Sequence, residues 1–382
     1  MTGQPAYRIP FNRPTHVGAE IGSVGEALAS GRLAANGPFT KRCEEELEAI
    51  TTAGKALLTG SCTQALEIAA LLLEGEPGDE VIVPSFAYVS TANAFAMRGL
   101  RPVFADCRPD TLTLDVAVLP RLVTSRTRAI VALHYGGVAC DLDEIADFAR
   151  TRRLTLVEDN AHGLFGRYKG RPLGSVGRFA TQSFHETKNI TCGEGGALLI
   201  NDPESVDRAM VVAEKGTNHR RFLLGEVDAY TWVDLGSSCK PSEIQAAWLW
   251  AQLGARLEIQ RRRHAIWARY HEELQDWATA NGVGLPTVPA HCEHPAHLYY
   301  LLLPSEAVRR RLIDRLKGLG ILAVFHYQPL HVSPMGRTFG GAPGDCPVTE
   351  RITSQLLRLP LYTGLSHDDQ SEVIERIRQF RA

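Results

Sequence analysis

Between about Ala56 and Asp202 the chain repeats one pattern: a short, unbroken run of β-forming apolar residues, then a longer stretch of helical character. Glu80-Val-Ile-Val-Pro84, Pro102-Val-Phe-Ala105, Ala129-Ile-Val-Ala-Leu133 and Leu154-Thr-Leu-Val157 read as strands, and Phe179–Phe184 and Gly196–Ile200 follow in the same style. A strand that is apolar on both sides must be covered on both faces, and parallel neighbours need a crossover between them. Such runs separated by helices specify an α/β fold with a largely parallel sheet between two layers of helices.

The pattern breaks near Pro241. Pro241-Ser-Glu-Ile-Gln-Ala-Ala-Trp248 starts a helix, with Pro241 in the tolerated first turn and Glu243 at its positive end. Ile259, Ile266, Tyr270, Leu274 and Trp277 then mark one stripe of a long amphipathic helix. Beyond Pro289, His297–Leu303 reads as a strand and Ser305–Gly318 as a second amphipathic helix. The expected organisation is a large domain over residues 1–254, N-terminal segment included, and a smaller C-terminal α+β domain over 255–382.

Bulk properties exclude several functions. With 382 residues, 44% of them hydrophobic, the chain can bury a large core. A net charge of −2 gives no ground for binding nucleic acid or an anionic membrane. The sharpest basic cluster, Arg261-Arg262-Arg263, reads as a solvated helix face. No apolar run is long enough to span a bilayer, and Met1–Arg13 lacks the apolar core of a signal peptide, so a cytoplasmic location is expected. None of the eight cysteines forms a C-x-x-C pair, which argues for free thiols and against a metal site. There are only seven lysines, so the search for a catalytic amine is short.

Three stretches could carry chemistry. In Thr59-Gly-Ser-Cys-Thr-Gln-Ala-Leu66 a small-residue turn opens an apolar helix. Its free N–H groups, with Ser61 and Thr63 as hydroxyl donors, suit a phosphate; an ordinary N-cap would look the same. Val157-Glu-Asp-Asn-Ala-His162 ends an apolar strand, where ligands of open α/β sheets collect. Asp159 could pair with a ring-nitrogen cation and His162 bond a phenolate oxygen, or the aspartate could simply cap the next helix. Ser183-Phe-His-Glu-Thr-Lys188-Asn-Ile-Thr-Cys-Gly-Glu-Gly-Gly196 places one lysine between a hydroxyl-rich cluster and a glycine-rich turn. A lysine held deprotonated forms Schiff bases with aldehydes; a surface turn lysine is the plain alternative. Taken together, a phosphate cradle, a ring-nitrogen acid and a lysine are the groups that pyridoxal 5'-phosphate needs.

The chain resembles the DegT/DnrJ/StrS-type sugar-nucleotide aminotransferases over nearly its whole length. The segments that carry the resemblance are Ser183-Phe-His-Glu-Thr-Lys-Asn189, Gly193-Glu-Gly-Gly196, Glu214-Lys-Gly-Thr-Asn218, Tyr230–Ser238 and Phe325-His-Tyr-Gln-Pro-Leu-His331. It implies the fold type I aminotransferase architecture with pyridoxal phosphate as cofactor. By position, Lys188 matches the Schiff-base lysine, Asp159 the acid facing the pyridine nitrogen and His162 the neighbour of the phenolic oxygen. Ser61, Cys62 and Thr63 fall on the phosphate turn, and Ser183 on a hydroxyl that also reaches the phosphate. Tyr88 falls where an aromatic stacks on the ring. Ser238 stands where many relatives donate an asparagine across a dimer interface, and a serine reaches less far. Lys215, Asn218, His326, Tyr327 and His331 are implied substrate contacts.

The nearest branch aminates C4 of dTDP-4-dehydro-6-deoxy-D-glucose. The resemblance therefore implies a homodimer with shared sites, L-glutamate as donor and ping-pong kinetics through Lys188. Amination at C3, or a cofactor-binding regulator without turnover, remains open from sequence. Lys188 speaks against the dehydratases of this fold, which carry histidine there.

Overall fold

The computed structural model describes residues 7–382. Its strands are β1 (Lys55–Thr59), β2 (Glu80–Pro84), β3 (Arg101–Ala105), β4 (Thr127–Leu133), β5 (Thr155–Asp159), β6 (Arg167–Tyr168), β7 (Arg171–Pro172), β8 (Phe179–Ser183), β9 (Gly196–Ile200), β10 (Cys292–Glu293), β11 (Tyr300–Leu302) and β12 (Leu356–Arg358). Seven of them form one sheet in the order β1-β9-β8-β5-β4-β2-β3. Strands β2, β3, β4, β5 and β8 are parallel, and β9 runs antiparallel to β8 and β1. Strand β1 adds a member to the six read from the sequence.

Side chains alternate across the pleat, so each strand feeds two cores. Leu57, Val81, Val83, Val131, Val157 and Phe179 pack on the Cys62–Leu72, Ser90–Ala96 and Val206–Ala213 helices. On the opposite face, Ile82, Ile130 and Leu156 meet the Leu142–Thr151 helix. Beside them Leu58, Ala180 and Leu199 meet the Pro38–Thr51 and Glu243–Gly254 helices. The parallel strands present their carboxyl ends along one edge.

The C-terminal part covers the β11–β12 pair with the Arg256–Asn281, Glu306–Gly318 and His367–Arg378 helices. Ile266, Tyr270, Leu274 and Trp277 are buried there, on the stripe that their spacing predicts. Ile9 joins the same core: its N–H bonds the Gly320 carbonyl, and its carbonyl accepts from Leu322. Among the described residues no helix is long and apolar enough to cross a membrane, and no cluster of metal-ligating side chains occurs.

Four local expectations need correction. Ser242, not Pro241, opens its helix, forming a capping box with Gln245, so the proline lies one residue outside the cap. Glu243 is buried, and its carboxylate caps a different helix by accepting the N–H groups of Gly37, Phe39 and Thr40. The Arg261-Arg262-Arg263 run is split by the helical turn. Arg261 and Arg262 pair with Glu258 in solvent, while Arg263 is buried and donates to the Ala296 and His297 carbonyls. The strand expected over His297–Leu303 spans only Tyr300–Leu302.

Candidate active site

A cavity of about 420 Å³ opens at the carboxyl edge of the sheet, where open α/β folds place their ligands. Ends of strands supply its floor: Leu133 from β4, Asp159 from β5 and Ser183 from β8. The segment around Phe11 and Asn12 and the His326, Tyr327 and Arg358 side chains close it from the C-terminal side.

Lys188 lies in the loop between β8 and β9. The loop is pinned at its neck by Phe184 N–H to the Gly195 carbonyl and Cys192 N–H to the Phe184 carbonyl. Burial pushes the Lys188 amine down to about 8, against the upward pull of Cys62 and Asp159. The glycine-rich return is sterically required: a Cβ on Gly196 would lie 2.4 Å from the Cys62 nitrogen. This close approach seats the lysine loop against the start of the Cys62–Leu72 helix. There Ser61 caps the helix by accepting from Gln64 N–H at 3.2 Å, and the Thr63 and Ser90 hydroxyls lie 2.7 Å apart.

Asp159 ends β5 with a carboxylate that accepts from the Thr91 hydroxyl at 2.7 Å and from Ala161 N–H at 3.2 Å. Burial raises its pKa despite these bonds. His162 Nδ1 accepts from Gly136 N–H at 3.3 Å, so the ring proton sits on Nε2, 3.4 Å from the Tyr327 hydroxyl. Burial, with help from the Lys188 charge, holds this imidazole well below its ordinary range, and hence neutral. Its ring stacks on His297 at 4.4 Å. Tyr88 stands at the cavity mouth, 59% exposed.

Of the residues singled out from sequence, Lys188, Asp159, His162, Ser61, Cys62, Thr63, Tyr88, Ser183, His326 and Tyr327 line this one cavity. Four do not. Lys215 and Ser238 are exposed on the 214–238 loop, where Lys215 N–H bonds the Ser237 carbonyl, and Asn218 accepts from Thr231 N–H. His331 is fully buried, with Nδ1 2.6 Å from the Ser85 hydroxyl and Nε2 2.9 Å from Glu350. Both its ring nitrogens are engaged, leaving nothing to offer a ligand. Sequence reasoning missed Thr91, His297 and Arg358. Arg358 carried a signal, a charged residue inside the apolar run Leu356-Leu-Arg-Leu-Pro360; Thr91 carried none.

Comparison with known proteins agrees with this geometry. The model of the DegT/DnrJ/EryC1/StrS aminotransferase family matches residues 14–378. The chain belongs to this family. It is 35% identical over 378 residues to the spore coat polysaccharide biosynthesis protein SpsC of Bacillus subtilis, covering 97% of this chain and 96% of the relative. Among solved structures, the aminotransferase TlmJ from Streptoalloteichus hindustanus superposes with a TM-score of 0.89 at 34% identity, covering 97% and 98% of the two chains. Spr1654 of Streptococcus pneumoniae, in its pyridoxal-phosphate form, gives 0.90 at 28% identity, with 97% and 98% covered. It is also known in a pyridoxamine-phosphate form. The family is pyridoxal-phosphate-dependent, and this chain is an aminotransferase of fold type I architecture.

Proposed function

We propose that the protein transfers the amino group of L-glutamate to C4 of a dTDP-4-keto-6-deoxyhexose, in two half-reactions that share one cavity. The observation that carries the reading is Lys188: a buried amine, depressed to about 8, in a cavity whose floor holds a buried carboxylate. Support for a sugar substrate comes from SpsC, a protein of polysaccharide biosynthesis, and from the segments quoted above. The branch that those segments resemble acts at C4 of a dTDP-4-keto sugar, which supports C4 as the position and dTDP as the nucleotide.

The donor set fits pyridoxal phosphate. Ser61, Thr63 and the free N–H groups of the Cys62–Leu72 helix would hold the phosphate, with Ser183 and Cys62 beside them. Asp159, whose pKa burial raises even against the pull of the Lys188 charge, would gain a directly paired cation in the protonated ring nitrogen. His162 would face the phenolic edge, and Tyr88 the ring. When bound, the cofactor supplies an electron sink that makes the donor's α-proton acidic. Lys188 then acts as base and acid: its amine takes the proton from the donor α-carbon and delivers one to the sugar C4 in the return half. His326 and Tyr327, at the C-terminal wall, would bond sugar hydroxyls.

Incubation with dTDP-4-dehydro-6-deoxyglucose and L-glutamate, followed by NMR of the product, tests the reading. The expected product carries nitrogen at C4, and initial rates give parallel double-reciprocal lines. Nitrogen at C3, no product, or intersecting lines would contradict it.

A further inference from the structure

The residue after Lys188 is held by the C-terminal part of the chain. The Asn189 amide is buried with both ends engaged: Nδ2 donates to the Pro295 carbonyl at 2.7 Å and to Gln260 Oε1 at 3.0 Å, and Oδ1 lies 3.0 Å from His297 Nδ1. The two Nδ2 contacts fix which end of the amide faces the imidazole, so His297 Nδ1 carries the hydrogen and Oδ1 accepts it. All three partners come from beyond residue 255, and through them that part of the chain grips the lysine loop.

His297 is aimed by its own backbone. Ala296 before it has φ +51, a left-handed conformation that alanine adopts only at a cost. Buried Arg263 holds the kink, donating to the Ala296 carbonyl at 3.1 Å and to the His297 carbonyl at 2.6 Å, while Ala296 N–H donates to His294 Nδ1 at 3.1 Å. Gly137, at φ +84, leaves room for the turn: a Cβ there would lie 2.2 Å from Pro295 Cδ. The kink sets the imidazole in the cavity wall, with one edge on Asn189 and one face on the His162 ring, 4.4 Å away. Burial, reinforced by the His162 and Lys188 charges, holds its pKa well below the ordinary range, so the ring is neutral. Strain of this kind persists only where the surroundings over-determine it, and it gathers at functional positions.

The two neighbours of His297 share a task. On a pyridoxal ring the aldehyde carbon and the phenolic oxygen are borne by adjacent ring atoms. The amine that meets one and the imidazole that faces the other must therefore keep a fixed spacing. We propose that His297 is a positioning residue that sets this spacing, by its hydrogen bond to Asn189 on the lysine side and its stack on His162 on the other. The inference rests on the reading of Lys188 as the cofactor lysine and adds the group that aims it.

The test separates aim from packing. Pyridoxal phosphate and pyridoxamine phosphate share the phosphate, the ring and the phenolic oxygen, but only the first offers Lys188 an aldehyde. His297→Phe keeps a ring against His162 and removes the N–H. Cofactor-free His297→Phe should capture pyridoxal phosphate at least about tenfold more slowly than wild type, followed by absorbance and borohydride trapping, the scale of a misaimed nucleophile. Its equilibrium affinity for pyridoxamine phosphate should be nearly unchanged. His297→Asn returns an N–H toward Asn189 and should recover most of the capture rate. Asn189→Ser should be slowed like His297→Phe, and the double variant no further, as expected of two residues acting through one bond. Capture at the wild-type rate in His297→Phe overturns the proposal. So do equal losses for both forms of the cofactor, or an asparagine variant no better than the phenylalanine one, the marks of a merely structural role. If His297→Phe does not fold, Asn189→Ser and His297→Asn carry the same comparison. Lys188→Ala distinguishes the two levels. If it still yields a borohydride-fixed link, the reading of Lys188 falls and the inference with it. If it yields none and His297→Phe matches wild type, only His297 is reassigned.

Discussion

At Lys188 burial and charge pull in opposite directions. Desolvation disfavours the ammonium form; Cys62 and Asp159 favour it, and Arg358 opposes it again. The balance near 8 means that the free amine, the form that attacks an aldehyde, becomes abundant as pH rises through that value. The rate at which cofactor-free protein captures pyridoxal phosphate should therefore climb through about pH 8 and then level. A rate flat from pH 7 to 9 would contradict the assignment. Stability follows from the same shift. Between about 8 and the ordinary lysine value near 10.5 the unfolded chain binds the proton and the folded chain does not, so stability contributed by this site rises with pH. Lys188→Met lacks the penalty, and its stability advantage over wild type in denaturant melts should shrink across that window. Residue-level chemistry was legible where it followed the strand ends, as at Asp159 and Lys188. It was not legible at Arg358 or His297, whose neighbours in the cavity lie far away in the chain. At His331 a polar motif residue was read as a ligand contact, but Ser85 and Glu350 had already claimed both nitrogens.

Among the elements, β5 does two jobs with adjacent residues. Asp159 points into the cavity. Glu158 points into the fold, where its carboxylate accepts from Gly174, Val176 and Gly177 N–H groups and bonds His134 Nε2 at 2.9 Å. Burial would raise the Glu158 pKa, but these bonds hold it below the usual range. This carboxylate takes the N–H groups of the connection leading into β8, and so toward Lys188, while the Asn160 and Asn201 amides bond its Leu173, Gly174 and Gly177 carbonyls. Glu158→Ala would strand four buried donors and should cost about 3–5 kcal/mol, read from chemical denaturation. A loss below about 1 kcal/mol would show that water or a rearranged loop replaces it. Strands were readable because apolar runs of this length have few other solutions. The partners of Glu243 and Arg263 were not, because periodicity tells which face of a helix is buried and not what it meets. Gly196 could be seen as permissive, but not that the Cys62 nitrogen sits against it.

For the molecule as a whole, the 214–238 loop is the feature one chain leaves unexplained. Phe222, Leu223, Leu224, Tyr230, Trp232, Val233 and Leu235 are exposed there, beside Lys215, Asn218 and Ser238. Large apolar side chains exposed together in one segment are the kind of surface that a protein–protein interface would cover. We expect a second copy to cover it, bringing the three polar residues to the partner's cavity mouth. Trp232, 74% exposed, should be dispensable to the single chain's fold. Trp232→Asp should then yield a folded monomer by light scattering, with turnover reduced at least about tenfold; an unchanged dimer would refute the placement. The sheet order, the two helical layers and the cavity all deliver one amine to one place. Borohydride reduction of the cofactor-loaded protein freezes the link between cofactor and lysine into a secondary amine, which peptide mass spectrometry can locate. The label should fall on Lys188 alone; a label on any of the other six lysines, or none, would contradict the account.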